Sequence, residues 1–79
     1  MLIEDLPPRC RCCGYKTLSE RAAFEICAVC FWEDDGQDDD DADAVLGSPN
    51  SSLSLAQARV NYQQFGASRR RDLRYVGSP

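Results

Sequence analysis

Histidine is absent from the 79-residue sequence, basic residues are outnumbered 13 to 9 by acidic ones, and aromatics make up only 9%. Without histidine there is no zinc site of the two-His or three-His kind, no His-dependent hydrolase triad and no His-ligated haem. Long apolar runs are missing too. The longest, residues 26–32, has seven residues, against the roughly 20 needed to span a bilayer. Residues 1–8 (MLIEDLPP) lack the basic start and apolar stretch of a secretory leader, so a soluble, cytoplasmic protein is expected, with no membrane association. A chain this short buries only about 60% of the surface its unfolded form exposes, so its core alone is marginal and a staple is required.

What the sequence does have is five cysteines. In a reducing compartment they do not settle into disulfides, and an odd number cannot all pair within one chain. They fall into two groups, Cys10-Arg11-Cys12-Cys13-Gly14 and Cys27-Ala28-Val29-Cys30. Each contains C-x2-C, and thirteen residues separate the pairs when Cys10 is taken with Cys13. Two residues between ligands allow one tight turn to aim both sulfurs at a single ion. Gly14 can take the positive φ that such a turn favours, which selects Cys13 over Cys12; Phe31 stands at the equivalent place in the second turn. The predicted ligands are therefore Cys10, Cys13, Cys27 and Cys30, around one structural Zn2+ with no open coordination position. Iron of the rubredoxin kind would use the same four sulfurs. Neither pair has the helix N-terminus in an α/β setting that marks a redox C-x2-C. Cys12 is read as a packed or solvent-facing bystander.

The expected fold is small α+β. Residues 15–18 and residues 24–26 are strand-prone and residues 19–23 connect them, giving a zinc-ribbon-like β-hairpin flanked by two cysteine turns. Leu18, Phe24 and Ile26 are core candidates, and Phe31 and Trp32 extend that patch, with Trp32 partly buried. One helix follows. Ser54 is its N-cap with Gln57 at the capping-box position, Leu53 can staple against Ala58, and Gly66 ends it. Leu55, Ala58, Tyr62 and Phe65 share the face that covers the hairpin.

Between the hairpin and the helix, residues 33–43 hold eight carboxylates and no basic residue. Self-repulsion predicts a solvated loop, joined to a turn-rich linker to make residues 33–52 one acidic loop and linker. Asp39, Asp41 and Asp43 open like a calcium loop, but Ala44 and Asn50 stand where an EF-hand needs Gly and Glu. Residues 69–79 form a basic tail carrying Arg69, Arg70, Arg71 and Arg74, expected to pair with the chain's own acidic loop. Four thiolates and one divalent ion would take the formal charge from -4 to -6, which disfavours nucleic acid.

Several segments together resemble the bacterial CPCC family of cysteine-rich proteins: CRCCGYKTL at residues 10–18, EICAVCFWEDD at residues 25–35, LSLAQAR at residues 53–59, then Asn61 and Phe65-Gly66. The resemblance covers about residues 9–68. Arg11 and Ala28 replace the usual prolines of its CPCC and CPVC segments, which puts the stiffness of the two turns in question. It implies a single cysteine-rich, metal-binding domain over residues 1–79 and brings no established activity.

The functional expectation is a non-enzymatic, zinc-stabilised interaction module. Its partner-binding residues are Trp32, Glu33, Asp34, Asp35, Asp38, Asp39, Asp40 and Asp41, facing a basic protein, one version being an inhibitor or immunity-type protein. The alternatives are a nucleic-acid-binding ribbon acting through the basic end, and a small enzyme using Glu33, Asp34 and Asp35 on a cation or Cys12 as nucleophile.

Overall fold

The computed structural model describes residues 8–47 and 49–78. Its framework is a pair of cysteine turns built to one plan. In the first, the Gly14 amide donates to the Cys10 carbonyl (2.8 Å) and the Cys10 amide to the Tyr15 carbonyl (2.8 Å). In the second, Phe31 donates to Cys27 (2.8 Å) and Cys27 to Trp32 (2.9 Å). The position after each second cysteine is left-handed, with φ of 86° at Gly14 and 68° at Phe31.

The expected hairpin does not form, and the zinc-ribbon α+β class is corrected accordingly: among the described residues there is no β-strand and no sheet. Each cysteine turn closes its own ladder instead. Residues 15–18 fold back on the first turn, where Leu18 donates to the Pro8 carbonyl at 3.3 Å and Thr17 to that of Tyr15 at 2.9 Å. Residues 24–27 pair around the second turn through a single antiparallel bridge between Ile26 and Glu33. Asp34 donates to Glu25 (2.9 Å) in the same register. Ala22 and Phe24, at φ of 59° and 62°, bend the chain where a strand would run straight. The Glu25 carboxylate holds the preceding loop by accepting from the amides of Ser19 (3.0 Å) and Glu20 (3.1 Å) and from the Ser19 hydroxyl. Consequently Phe24 and Ile26 lie outside the core, 56% and 50% exposed, while Leu18 is buried as predicted.

Helix α1, Leu55–Phe65, keeps its predicted ends. The Ser54 hydroxyl accepts from the Gln57 amide at 3.0 Å. Gly66, at φ 89°, closes the helix by donating to Tyr62. The other half of the capping box is not made, because the Gln57 side chain donates to Asn61 (2.9 Å). Leu55 and Ala58 pack into one cluster with Cys10, Cys12, Cys27, Val29, Cys30, Trp32 and Ala42, and Tyr62 leans against it. The helix therefore covers the cysteine turns. Phe65 is only half-buried, beneath the Arg70 guanidinium at 4.7 Å.

Past the helix, the arginine-rich segment straps the second cysteine turn. Ser68 donates to the Cys30 carbonyl (2.7 Å), Gly77 donates to that of Ala28 (3.0 Å), and a 3-10 helix, Arg70–Tyr75, lies between them. Tyr75 stacks on Phe31, with ring centroids 5.1 Å apart. The predicted pairing of Arg69, Arg70, Arg71 and Arg74 with the acidic loop is absent among the described residues. Arg69 donates to the Asn50 carbonyl, and Arg74 lies over the Tyr75 ring.

Candidate metal centre

The two turns bring four sulfurs together. The Sγ atoms of Cys10, Cys13, Cys27 and Cys30 all lie within 4.8 Å of one another, and all but Cys13 are fully buried. Cys10 and Cys30 are separated by 3.5 Å, and Cys13 and Cys27 by 3.7 Å. A regular tetrahedron with metal–sulfur bonds of about 2.3 Å has edges of about 3.8 Å, so the four positions fit a single ion held by thiolates. These are the four predicted ligands, and they are placed to hold a metal.

The electrostatics of the free thiols focus on Cys27. Its sulfur meets the thiols of Cys10, Cys13 and Cys30, and it accepts from the Thr17 hydroxyl at 3.1 Å and the Val29 amide at 3.4 Å. Those contacts, that of Cys10 foremost, hold its pKa far below the ordinary thiol range. The opposite holds for Cys10, raised by Cys13 and then Cys27, and for Cys30, raised by Cys10 and then Cys12. In Cys13 a lowering contribution from Cys10 is outweighed by Cys27 and Cys30. Cysteine binds a metal as thiolate, so loading a cation among these sulfurs would displace their protons.

Cys12 is the packed bystander of the two readings given above, a member of the buried cluster outside the four-sulfur group.

The acidic segment departs from its predicted role as an open docking loop. Trp32 is 0% exposed and Asp34 only 1%, so neither is available to a partner. Trp32 fills the core beside the cysteines. Asp34 accepts from the Arg21 guanidinium, from the Ala22 amide at 2.8 Å and from the Gly36 amide at 3.4 Å. Asp38 caps a short 3-10 turn, Asp39–Asp41, and its Oδ2 accepts from Arg11 (3.0 Å) and Arg21 (3.3 Å). Asp39 pairs with Arg59 at 2.8 Å, and Asp35 accepts from Asn50 at 3.2 Å. The counter-charges come from the first cysteine turn, the loop after it and α1. None of them is adjacent in sequence to the acids, which is why the sequence reading missed them.

Buried Gln37 was also missed. Its amide nitrogen donates to the carbonyls of Asp41 (2.9 Å) and Ala44 (2.7 Å), pinning the segment from inside. The only hint in the sequence is a neutral amide among carboxylates.

No helix among the described residues is long and apolar enough to cross a membrane. Searches of the curated proteins and of the solved structures return no match. A family model described as Cysteine-rich CPCC matches residues 8–79, extending through the C-terminal strap that contacts the second cysteine turn. The chain thus belongs to the Cysteine-rich CPCC family.

Proposed function

We propose that this protein is a zinc-stabilised, non-enzymatic interaction module of the cytoplasm, in which one structural Zn2+ is held by Cys10, Cys13, Cys27 and Cys30. The observation that carries this reading is the closed set of four sulfurs seated against the core. Four thiolates leave no coordination position for substrate or water, and Zn2+ contributes folding energy without redox chemistry. The size of the core supports the same role. Trp32, Leu55 and Leu18 are the only large apolar side chains buried to within about 2% among the described residues, too few to stabilise a domain by burial alone.

The docking face in this proposal is narrower than the full acidic run. Asp40, Asp41 and Asp43 are exposed and make no ion pair among the described residues, Asp39 is exposed though paired with Arg59, and Glu33 is half-buried; the unpaired carboxylates offer a field of one sign to a basic protein partner. Native mass spectrometry of protein purified without added metal tests the first part. One zinc per chain is expected, and iron or an empty site would overturn the zinc assignment. Capture from nuclease-treated host extract tests the second, with elution expected as salt rises.

A second reading is favoured by one observation. Arg70, Arg71 and Arg74 are exposed and make no ion pair among the described residues. A salt-dependent mobility shift of labelled RNA or DNA, lost when these three become Gln, would support a nucleic-acid surface there.

A further inference from the structure

We propose that the cleft lined by Pro8, Arg9, Arg11 and Arg21 is a binding site for a small anion bearing one or two phosphate groups. The cleft encloses about 280 Å3, and among the described residues its lining is Pro8 and three arginines. This is an unusual concentration of positive charge in a chain of net charge -4. Its volume lies just under the roughly 300 Å3 at which pockets for drug-sized ligands begin, the scale of a diphosphate.

The arginines are held from behind with donors left over. Arg21 is fixed by Asp34, by the Gln37 carbonyl at 3.1 Å and by Asp38 at 3.3 Å, which engages both of its terminal nitrogens and leaves Nε. Arg11 uses only Nε, bonded to the same Asp38 oxygen at 3.0 Å. Arg9 uses only Nη1, which donates to the Gly14 carbonyl at 2.9 Å. Among the described residues, both Nη groups of Arg11 and the Nε and Nη2 of Arg9 therefore have no acceptor. Among the described residues the carboxylates paired with these arginines are Asp34 and Asp38, one fewer than the arginines. Asp34 is buried behind Arg21. Guanidinium forks fixed in advance match the paired oxygens of phosphate and lose little entropy on binding it. The other groove bearing arginines, at Arg69 and Arg71, also contains Glu33 and Asp72 and has no such excess.

The test is a titration of the full-length, metal-loaded protein with inorganic pyrophosphate at low salt, followed by 1H-15N NMR. Saturable shifts are expected at the Nε–H groups of Arg9, Arg11 and Arg21 and at the amides of residues 9–14. Arg9→Gln should weaken binding at least fivefold with metal content unchanged, since Arg9 is exposed and its only contact is one carbonyl. Arg11→Lys keeps the charge but not the fork, and should weaken binding about threefold. A parallel titration with a single-stranded oligonucleotide distinguishes free phosphate from a nucleic-acid backbone as the source, the tighter ligand at these residues naming it. Absence of saturation by either ligand, shifts confined to residues 69–75, or unaltered affinity in Arg9→Gln would overturn the proposal.

Discussion

Phe31 holds in the second cysteine turn the place that Gly14 holds in the first, and both are left-handed, at φ of 68° and 86°. For a residue with a Cβ that conformation costs about 1–2 kcal/mol. The Phe31 ring offsets the cost by stacking on Tyr75, a contact worth about 0.5–1.5 kcal/mol beyond its burial. Phe31→Ala keeps the strain and loses the stack, whereas Phe31→Gly loses the stack and relieves the strain. Urea unfolding of the metal-loaded proteins should therefore find the Ala variant less stable than the Gly variant by about 1 kcal/mol. Equal stability would mean that the turn relaxes once the ring is gone.

The four-sulfur geometry makes a distinct prediction for each thiol. Replacing Cys10, Cys13, Cys27 or Cys30 by Ser should remove the metal and ordered folding together, because binding and folding are one equilibrium in so small a domain. Cys12→Ala should retain one metal per chain and lose about 1 kcal/mol from a slightly smaller core. Metal content and circular dichroism of the five variants check this. Loss of metal from Cys12→Ala would place Cys12 in the ligand shell.

Sequence spacing and caps were sufficient wherever the controlling contacts are local. Gly14 after Cys13 selected the cysteine pair whose sulfurs do lie together with those of Cys27 and Cys30, placed to hold a metal, and Ser54 and Gly66 bounded the helix. The hairpin was misread because strand propensity in residues 15–18 and 24–26 says nothing about which partner a strand-prone segment takes. Each segment found its nearer cysteine turn, and Phe24 adopted a φ that aromatic residues rarely take. The acidic segment was misread because its counter-charges, Arg11, Arg21 and Arg59, lie 13 to 27 positions away and the 3-10 turn they stabilise leaves no periodic signal.

Among the described residues, Arg21 and Asp34 form the most deeply buried ion pair, with side-chain exposures of 24% and 1%. Removing the cation strands a buried carboxylate, which costs about 3–5 kcal/mol, while removing the anion leaves a guanidinium that water can still reach. Arg21→Met should thus be more damaging than Asp34→Asn. The order can be read from denaturant midpoints, and the reverse order would show that the backbone amides of Ala22 and Gly36 satisfy Asp34 by themselves.

Leu55 and Phe65 sit at opposite ends of α1 and differ in what they cover. Leu55 is fully buried against the cysteines, so Leu55→Ala should cost about 2–5 kcal/mol. Phe65 is half-buried under Arg70, so Phe65→Ala should cost less, about 1–2 kcal/mol, and Arg70→Gln should recover only the cation–π part of that. Thermal unfolding at constant metal loading separates the two. A Phe65 cost as large as that of Leu55 would mean that the ring belongs to the core.

The acidic segment divides into carboxylates that hold the fold and carboxylates left for a partner, so charge-removing substitutions should have different consequences along it. Burial alone would raise the pKa of Asp38, but the Asp39 amide and the Arg11 and Arg21 guanidinia outweigh that and hold it below the ordinary carboxylate value. A carboxylate with a depressed folded pKa contributes stability that is present above its unfolded value, near 3.9, and is lost as pH falls through the folded value. Asp38 is 40% exposed, so solvent screening limits that contribution to about 1 kcal/mol. Asp38→Asn keeps the capping geometry and removes the charge. Its stability should fall below wild type by that amount from pH 7 down to about pH 5, and the gap should close below about pH 4. Asp40→Asn combined with Asp43→Asn removes two exposed charges that make no ion pair among the described residues, so metal content should be unchanged and stability should stay within about 0.5 kcal/mol of wild type. Capture of a basic partner by that double variant should nevertheless weaken and lose salt dependence, because long-range attraction scales with the charge left facing it. If the double variant captures as well as wild type, the acidic face is not the docking surface, and the carboxylates of this segment serve only to gather Arg11, Arg21 and Arg59 around the cysteine turns.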